Sequence, residues 1–326
     1  MQTKTLTIAD LRLDNPVILA PMAGITSLPY RRIMKSCGAG LVFTEMISAN
    51  GLIRDGAKTR QLLATHPDES PLGIQLFGSD PQVLADAVSC VADEAALIDI
   101  NMGCPVKKVV SSGSGSALLR EPERIGAILT AIRKAYRGIL TIKIRSGWDQ
   151  SSINFLDIGR RAQDAGVDAI TLHPRTRSQG FSGSACWEQI KELKQCLTIP
   201  VIGSGDIFTA DQGLAMLHQT GCDGIMIGRG GYGNPWLIRD ILNLLHRQQP
   251  QAVTSAERLH LIHRHIQLHH QQFGAHKTLL EMRKHLSWYA RGFQGATQFR
   301  SQLQTLNSLD AMTSLLDTFF REAVTP

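Results

Sequence analysis

Leu97-Ile98-Asp99-Ile100-Asn101-Met102-Gly103-Cys104-Pro105 is the stretch on which the fold turns. An apolar run closed by an amide, a glycine, a thiol and a proline reads as a buried strand running into a turn. In a barrel of alternating strands and helices the loops leaving the strand ends build the active site, so a cysteine here is placed for chemistry. Cys104 also reads as a small buried hydrophobe, since free cysteine is among the most buried residue types. The rest of the chain bears on the choice.

Working outward, short apolar runs at 17–20, 40–44 and 72–77 precede this one at 97–101, and others follow at 140–145, 169–173, 200–203 and 224–228. Helical periodicity fills 28–37, 55–64, 81–95, 121–136, 152–165, 187–196, 209–220 and 235–247. Eight β-then-α units predict a TIM (β/α)8 barrel over 1–247. A doubly wound sheet would want G-x-G-x-x-G after its first strand, where this chain has Pro21-Met22-Ala23-Gly24. Gln248 to Val253 is polar and proline-broken and reads as a linker. Beyond it, Thr254 and Glu257 have capping-box spacing, and Leu259, Ile262, Ile266 and Phe273 form an apolar helical stripe. With further helices expected at 276–292 and 297–322, the segment 248–326 reads as a small all-α C-terminal domain.

The 326 residues, 43% hydrophobic and 19% charged, can bury one large core, which excludes disordered and fibrous classes. Met1 to Asp10 lacks an apolar signal core and no apolar run reaches a bilayer-spanning length, so a cytoplasmic protein without a membrane partner is expected. Cysteines 37, 90, 104, 186, 196 and 222 show no C-x-x-C spacing, which predicts reduced thiols, no metal and no disulfide framework. The net charge of +6 is modest, but its distribution is not. Between Leu245 and Arg300 eight Lys or Arg face two Glu, and eight of the eleven histidines fall there, the pattern of a nucleic-acid footprint. Lys277, Lys284 and Arg291 recur every seven residues and predict one stripe of a single helix, either tracking a phosphate backbone or simply solvated. Trp288 and Tyr289 read as core.

Each strand ends in a residue able to do chemistry or to let backbone approach a ligand: Pro21 to Gly24, Glu45, Gln75, Asn101, Lys143 with Arg145, His173, Gly203 to Asp206, and Gly228-Arg229. Together these ends point to one site. The last two turns are glycine-rich, and in this fold that pair commonly holds a phosphate by backbone N–H groups, so a phosphorylated cofactor is the natural occupant. Tight turning alone would also account for the glycines. The Gln75 amide suits the edge of a flavin pyrimidine, and Lys143 supplies a cation where charge develops on a reduced ring. Lys143 and Arg145 share a strand face, and two cations in a barrel interior need an anionic or electron-accepting ligand.

The motifs together resemble the tRNA-dihydrouridine synthases, closest to the bacterial B-type, over nearly the full chain. The resemblance rests on Ala20-Pro21-Met22-Ala23-Gly24-Ile25-Thr26, Thr44-Glu45-Met46, Asp99 to Pro105 and Lys143-Ile144-Arg145. It continues in His173-Pro174-Arg175-Thr176-Arg177, Gly205-Asp206-Ile207, Met226 to Gly230 and Arg283 to Tyr289. It implies an FMN-binding barrel with a helical tRNA-binding domain and no obligatory protein partner. The implied reaction reduces a D-loop uridine to 5,6-dihydrouridine, at position 17 by B-type resemblance. Hydride goes from FMN N5 to C6, Cys104 gives a proton to C5, and NADPH re-reduces the flavin.

By the same resemblance Pro21, Met22, Ala23, Gln75, Lys143, His173, Ser204, Gly205, Asp206, Gly228 and Arg229 contact FMN, and Asn101 orients the uracil. Ser204 departs from a usual Asn, and Pro174 from a usual Gly. The segment Val110 to Ser116, expected to be a flexible loop, lacks the basic residues of relatives. Arg145, His173 and Arg175 are candidates to sit beside the uracil carbonyls, since hydride addition builds enolate charge there. Arg175 and Arg177 could instead meet RNA phosphates, and Lys277, Lys284 and Arg291 complete the expected substrate contacts. Two other readings stay open: a small-molecule FMN oxidoreductase of the dihydroorotate or dihydropyrimidine dehydrogenase kind, against which the basic tail speaks, and a non-enzymatic tRNA chaperone.

Overall fold

Short, near-continuous apolar runs fit strands buried on both faces, and the computed structural model, which describes residues 5–322, assembles them into one ring. The strands are β1 (Val17–Leu19), β2 (Val42–Phe43), β3 (Leu72–Phe77), β4 (Leu97–Met102), β5 (Leu140–Arg145), β6 (Ala169–His173), β7 (Val201–Ser204) and β8 (Gly224–Ile227). They pair in parallel in the order β1-β8-β7-β6-β5-β4-β3-β2, and an Ile18–Leu41 bridge closes the ring. Residues 1–4 and 323–326, the outer ends of the two expected segments, lie outside the described residues. The expected barrel is present, with ends shifted by a residue or two.

Register carries the site. Gln75 pairs with Asp99, Asn101 with Lys143, and Arg145 with His173, so side chains from four strands reach the C-terminal mouth at adjacent levels. The opposite end is plugged by an unforeseen hairpin, Thr7–Ile8 with Leu11–Arg12, whose Leu6, Ile8 and Leu13 pack with Ile18, Leu97 and Met226.

The barrel helices are α1 (Leu28–Ser36), α2 (Ala49–Ile53), α3 (Ala57–Leu62), α4 (Pro81–Cys90), α5 (Lys107–Val110), α6 (Pro122–Ala135), α7 (Phe155–Asp164), α8 (Trp187–Cys196), α9 (Ala210–Thr220) and α10 (Trp236–Leu245). The helix expected at 55–64 begins only after a turn at Asp55 (φ 52), and the unforeseen α2 precedes it. Beyond Thr254, which caps the next helix through the Glu257 N–H, lie α11 (Ser255–Tyr289), α12 (Ala296–Thr305) and α13 (Leu309–Glu322). The segment expected as one helix at 297–322 is thus two.

Gly274 breaks α11 at φ 75 and ψ 170, a backbone state that only glycine adopts without strain. Ala290 caps the second half and Gly292 (φ 89) turns the chain away. The expected stripe is therefore corrected: Lys277 and Lys284 share a helical segment, whereas Arg291 lies past its end.

These last helices build their own apolar cluster, in which Ile262, Met282, Leu286, Tyr289, Phe299 and Phe320 surround Trp236 of α10. They dock on α1 and on the loop after β8. Tyr232 stacks on Trp288 at 4.2 Å, and a Cβ on Gly233 would come within 2.3 Å of the Trp288 carbonyl, so only glycine permits this approach. No helix among the described residues is long and apolar enough to cross a membrane.

Candidate active site

A cavity of about 290 Å³ opens at the C-terminal ends of the strands. Pro21, Met22, Ala23, Asn101, Cys104, Lys143, Arg145, His173, Ser204, Gly205, Asp206, Gly228 and Arg229 all line it. Gln75, Arg175, Arg177, Lys277, Lys284 and Arg291 do not.

The Cys104 turn is held from below by a chain of amides and hydroxyls. Asp99, buried at the base, accepts from Thr141 Oγ1 at 2.6 Å and from Gln75 Nε2 at 2.7 Å. Gln75 Oε1 then accepts from Asn101 Nδ2 at 2.9 Å, and Asn101 Oδ1 accepts from the backbone N–H of Cys104 at 2.9 Å and of Gly103 at 3.2 Å. One Asn101 amide hydrogen stays available to the cavity. Gln75 thus sits one level below the wall, and what it touches is the support of Asn101. Burial pushes the Asp99 carboxyl up to about 6 despite its two donors.

From above, Ser116 donates to the Cys104 carbonyl through its N–H (3.1 Å) and its hydroxyl (2.9 Å). A Cβ on Gly115, at φ +60, would lie 2.8 Å from that carbonyl oxygen. Of the Ser/Gly run expected as a flexible loop, Ser111 and Ser112 are exposed, whereas Ser114 to Ser116 are buried and continue to Leu119 as a packed bracket. Burial raises the thiol of Cys104 above its ordinary value, opposed by the N–H of Val106 and the charges of Arg145 and Lys143. The thiol keeps its proton at neutral pH.

The other wall is cationic. Burial, with Arg145 beside it, pushes Lys143 down to about 8, and burial with Arg175 pushes Arg145 down to about 10. Neither forms an ion pair among the described residues. Arg145 donates instead to the carbonyls of Gly103, Thr176 and Gly180. Burial and four surrounding cations push His173 down to about 2, so it is neutral. Arg175 Nη1 lies 3.2 Å from His173 Nε2, and a guanidinium can only donate, which assigns the His173 proton to Nδ1.

Arg175, 2% exposed, also donates to Asp206 and to the carbonyls of Ser182 and Gly183. It organises the loop after β6 and is not open to a phosphate. Asp206 receives Arg175, Arg229 and the Ala185 N–H. Ser204 turns its hydroxyl to the Met226 carbonyl at 3.2 Å. The N–H groups of Gly205, Asp206, Gly228 and Arg229 have no acceptor among the described residues. Lys284 donates to the Gly24 carbonyl, tying α11 to the loop after β1, and Lys277 lies 3.8 Å from Glu281 and over the Phe273 ring.

The wall also contains Met46 of the quoted Thr44-Glu45-Met46 motif, and Phe181, Phe208 and Tyr232, which the sequence did not single out. Phe181 is 52% and Phe208 46% exposed, and the Arg229 guanidinium lies 4.3 and 5.6 Å from their ring centres. Phe181 sits in a Ser/Gly-rich turn, Gln179-Gly180-Phe181-Ser182-Gly183; an isolated aromatic in such a turn was the available signal.

Comparison with known proteins decides the family, because the dihydrouridine synthase family model matches residues 18–324. The chain belongs to the dihydrouridine synthases. It is 40% identical over 317 residues to probable tRNA-dihydrouridine synthase 1 of Synechocystis, covering 96% of this chain and 89% of that one. It is 40% identical to tRNA-dihydrouridine synthase B of Pasteurella multocida, covering 96% and 95%. The Pseudomonas aeruginosa synthase B is 36% identical, covering 97% and 96%. Among solved structures, a 2-naphthoyl-CoA reductase aligns with TM-score 0.59 at 12% identity, over 76% of this chain and 52% of that one. Histamine dehydrogenase from Rhizobium sp. 4-9 aligns with TM-score 0.57 at 14% identity, over 82% and 50%. These structures share the fold alone with this dihydrouridine synthase.

Proposed function

We propose that this dihydrouridine synthase reduces a D-loop uridine of tRNA, at position 17, with FMN in the barrel mouth and NADPH as electron source. The observation that carries the reading is a protonated, half-buried thiol on the same cavity as Lys143 and Arg145, neither of which has an ion pair among the described residues. The fit to FMN rests on the same cations, which line the cavity without an ion pair among the described residues and so can receive an anionic or electron-accepting ligand there. The unbonded N–H groups at Gly205, Asp206, Gly228 and Arg229 suit its phosphate, and Met22, Ile207 and Met226 supply apolar wall for its ring. Pro21 and Ala23 complete that wall, Ser204 contributes backbone, and His173 is a neutral donor through Nδ1.

When bound, reduced FMN supplies a hydride to uracil C6. The residues do the remainder. Cys104 holds a proton and delivers it to C5. Asn101, fixed through Gln75 and Asp99, offers its free amide hydrogen to the uracil edge. Arg145 stands where enolate charge develops on the carbonyls. Segment 1–247 is the catalytic unit and 248–326 the tRNA-binding unit, supported by the apolar cluster that the tail helices build around Trp236 of α10. Arg177 and Lys277 are left as substrate cations at the surface, with the exposed Arg291; Lys284 is an anchor. Six free cysteines fit a cytoplasmic setting.

The test is mass-spectrometric mapping of dihydrouridine in tRNA from cells with and without this chain, beside an absorbance spectrum of the purified protein. Loss of the base at position 17 and a flavin spectrum are expected. Unchanged dihydrouridine content would sink the reading.

A further inference from the structure

The barrel rim away from the helical tail carries an indole in contact with two guanidinium groups. The guanidinium carbons of Arg120 and Arg177 lie 4.9 and 4.6 Å from the centre of the Trp148 ring. The three residues come from three loops at the C-terminal face. Arg120 ends the loop after β4, Trp148 belongs to the loop after β5, and Arg177 to the loop after β6.

Backbone and side-chain bonds fix these loops against one another. Arg177 N donates to the Gly147 carbonyl at 2.9 Å, and Ser178 N to the Trp148 carbonyl at 2.9 Å. Asn154 Nδ2 donates to the Leu119 carbonyl at 2.7 Å.

Among the described residues neither guanidinium has an ion pair or a hydrogen bond. The carboxylates adjacent in sequence are engaged elsewhere. Glu121 pairs with Arg124 at 3.2 Å, and Asp149 accepts from Ser151 and Ser152. Lys107 and Lys108, in the same loop as Arg120, are exposed and equally without an ion pair among the described residues. An arginine laid against an aromatic ring keeps its in-plane N–H donors free and pre-aimed, the arrangement that recognises phosphate oxygens.

Position gives the surface its meaning. In the ring order β1-β8-β7-β6-β5-β4-β3-β2, strands β4 to β6 stand opposite the junction of β1 and β8, where the tail docks through Gly24 and Gly233.

We propose that Arg120, Trp148 and Arg177, with Lys107 and Lys108, form a second RNA-backbone site that grips phosphates across the cavity from the helical tail. The polynucleotide is then held on both sides of the mouth while one base enters it. The inference rests on the tRNA reading above. Trp148 orients the two arginines and does not itself read a base.

The test is tRNA binding by the full chain over a series of potassium chloride concentrations, with steady-state kinetics alongside. In Arg120→Gln/Arg177→Gln the slope of log affinity against log salt should shrink by about 2, one unit per lost phosphate contact. Affinity at moderate salt should fall about tenfold or more, with the loss appearing in KM for tRNA rather than in kcat. Arg120→Lys/Arg177→Lys should retain the slope, and Trp148→Leu should weaken binding. An unaltered slope and affinity in the glutamine variant would overturn the proposal, as would a loss confined to kcat. A wild-type chain that shows the salt effect but forms no dihydrouridine would overturn the uridine-reductase reading and leave the rim site standing.

Discussion

Cys104 can donate only while it holds a proton, and the fold arranges this by burying the thiol rather than by pairing it with a base. Its charge-lowering neighbours, Arg145 and Lys143, are outweighed by desolvation. The pH dependence follows directly. A donor with a raised pKa stays protonated through neutrality, so the proton-donation contribution to single-turnover reduction of tRNA by pre-reduced enzyme should be flat between pH 6 and 8, any variation there belonging to Asp99 near 6 and Lys143 near 8. It should fall only above the ordinary thiol value of 9.0. A rate rising with pH through that range would make the thiolate the working form and contradict the assignment. Cys104→Ala should cost at least about 100-fold in turnover, the usual contribution of a general acid, with the flavin spectrum and tRNA affinity retained. Asn101 works differently, since its oxygen satisfies two backbone N–H groups under the catalytic turn. Asn101→Ala strands both donors at about 1–3 kcal/mol each, so it should lower the melting temperature as well as the rate, whereas Cys104→Ala should lower only the rate. Calorimetry of the two variants separates these roles.

At the scale of elements, the segment from Gly103 to Arg120 shows what packing adds to pattern. Gly115 stands at φ +60 with its Cα facing the Cys104 carbonyl, so Gly115→Ala combines left-handed strain with a collision. The strain alone is worth about 1–2 kcal/mol. The variant should melt lower and lose much of its kcat while still binding flavin; undiminished kcat would show that the bracket does not seat Cys104. Nothing in Ser111 to Ser116 announces this bracket, because small polar residues read as a loop whether or not something packs on them. The barrel was legible for the opposite reason. Leu72–Phe77, Leu140–Arg145 and Ala169–His173 appear with the bounds their apolar runs imply, since a strand buried on both faces cannot be interrupted by charge without a site to justify it. The interruptions themselves, Gln75, Asn101, Lys143 and Arg145, marked the mouth. Which of them face a ligand and which support another side chain was not legible, because that depends on register: Gln75 opposite Asp99 becomes a strut, while Asn101 opposite Lys143 reaches the cavity. The seven-residue spacing of the tail cations misled for a related reason, as a period says nothing of where glycine breaks or ends a helix.

For the molecule as a whole, the joint between barrel and tail is lined by neutral imidazoles. His265 and His285 are buried with ring centres 4.8 Å apart, and both face Tyr30 of α1, at 5.8 and 5.4 Å. His265 Nδ1 meets the Tyr289 hydroxyl at 3.2 Å, while its Nε2 has no partner among the described residues. His269 and Lys284 are the other charged or titratable neighbours. Burial pushes His265 down to about 3 and His285 well below the ordinary histidine value, each reinforced by the charges beside it. A histidine whose folded value is lowered binds no proton in the native state while the unfolded chain takes one up near pH 6.5. Stability is then fully present above that pH and drains away as pH falls toward the folded value, by about 1.4 kcal/mol per pH unit for each group. Between pH 6.5 and 5 the pair should therefore lose about 3 kcal/mol of joint stability. Three lowered histidines of α11, His265, His269 and His285, sit at this joint against His173 alone in the barrel mouth, so the tail should loosen before the barrel does. Hydrogen exchange in α11 should accelerate at pH 5 while β3 to β6 stay protected. His269 of the same helix is lowered by burial as well, so His265→Leu removes one of three titrations together with the partnerless Nε2, and the pH dependence of α11 exchange should become about a third less steep. An unchanged slope in that variant, or barrel strands that open together with the tail, would place the acid sensitivity elsewhere in the chain.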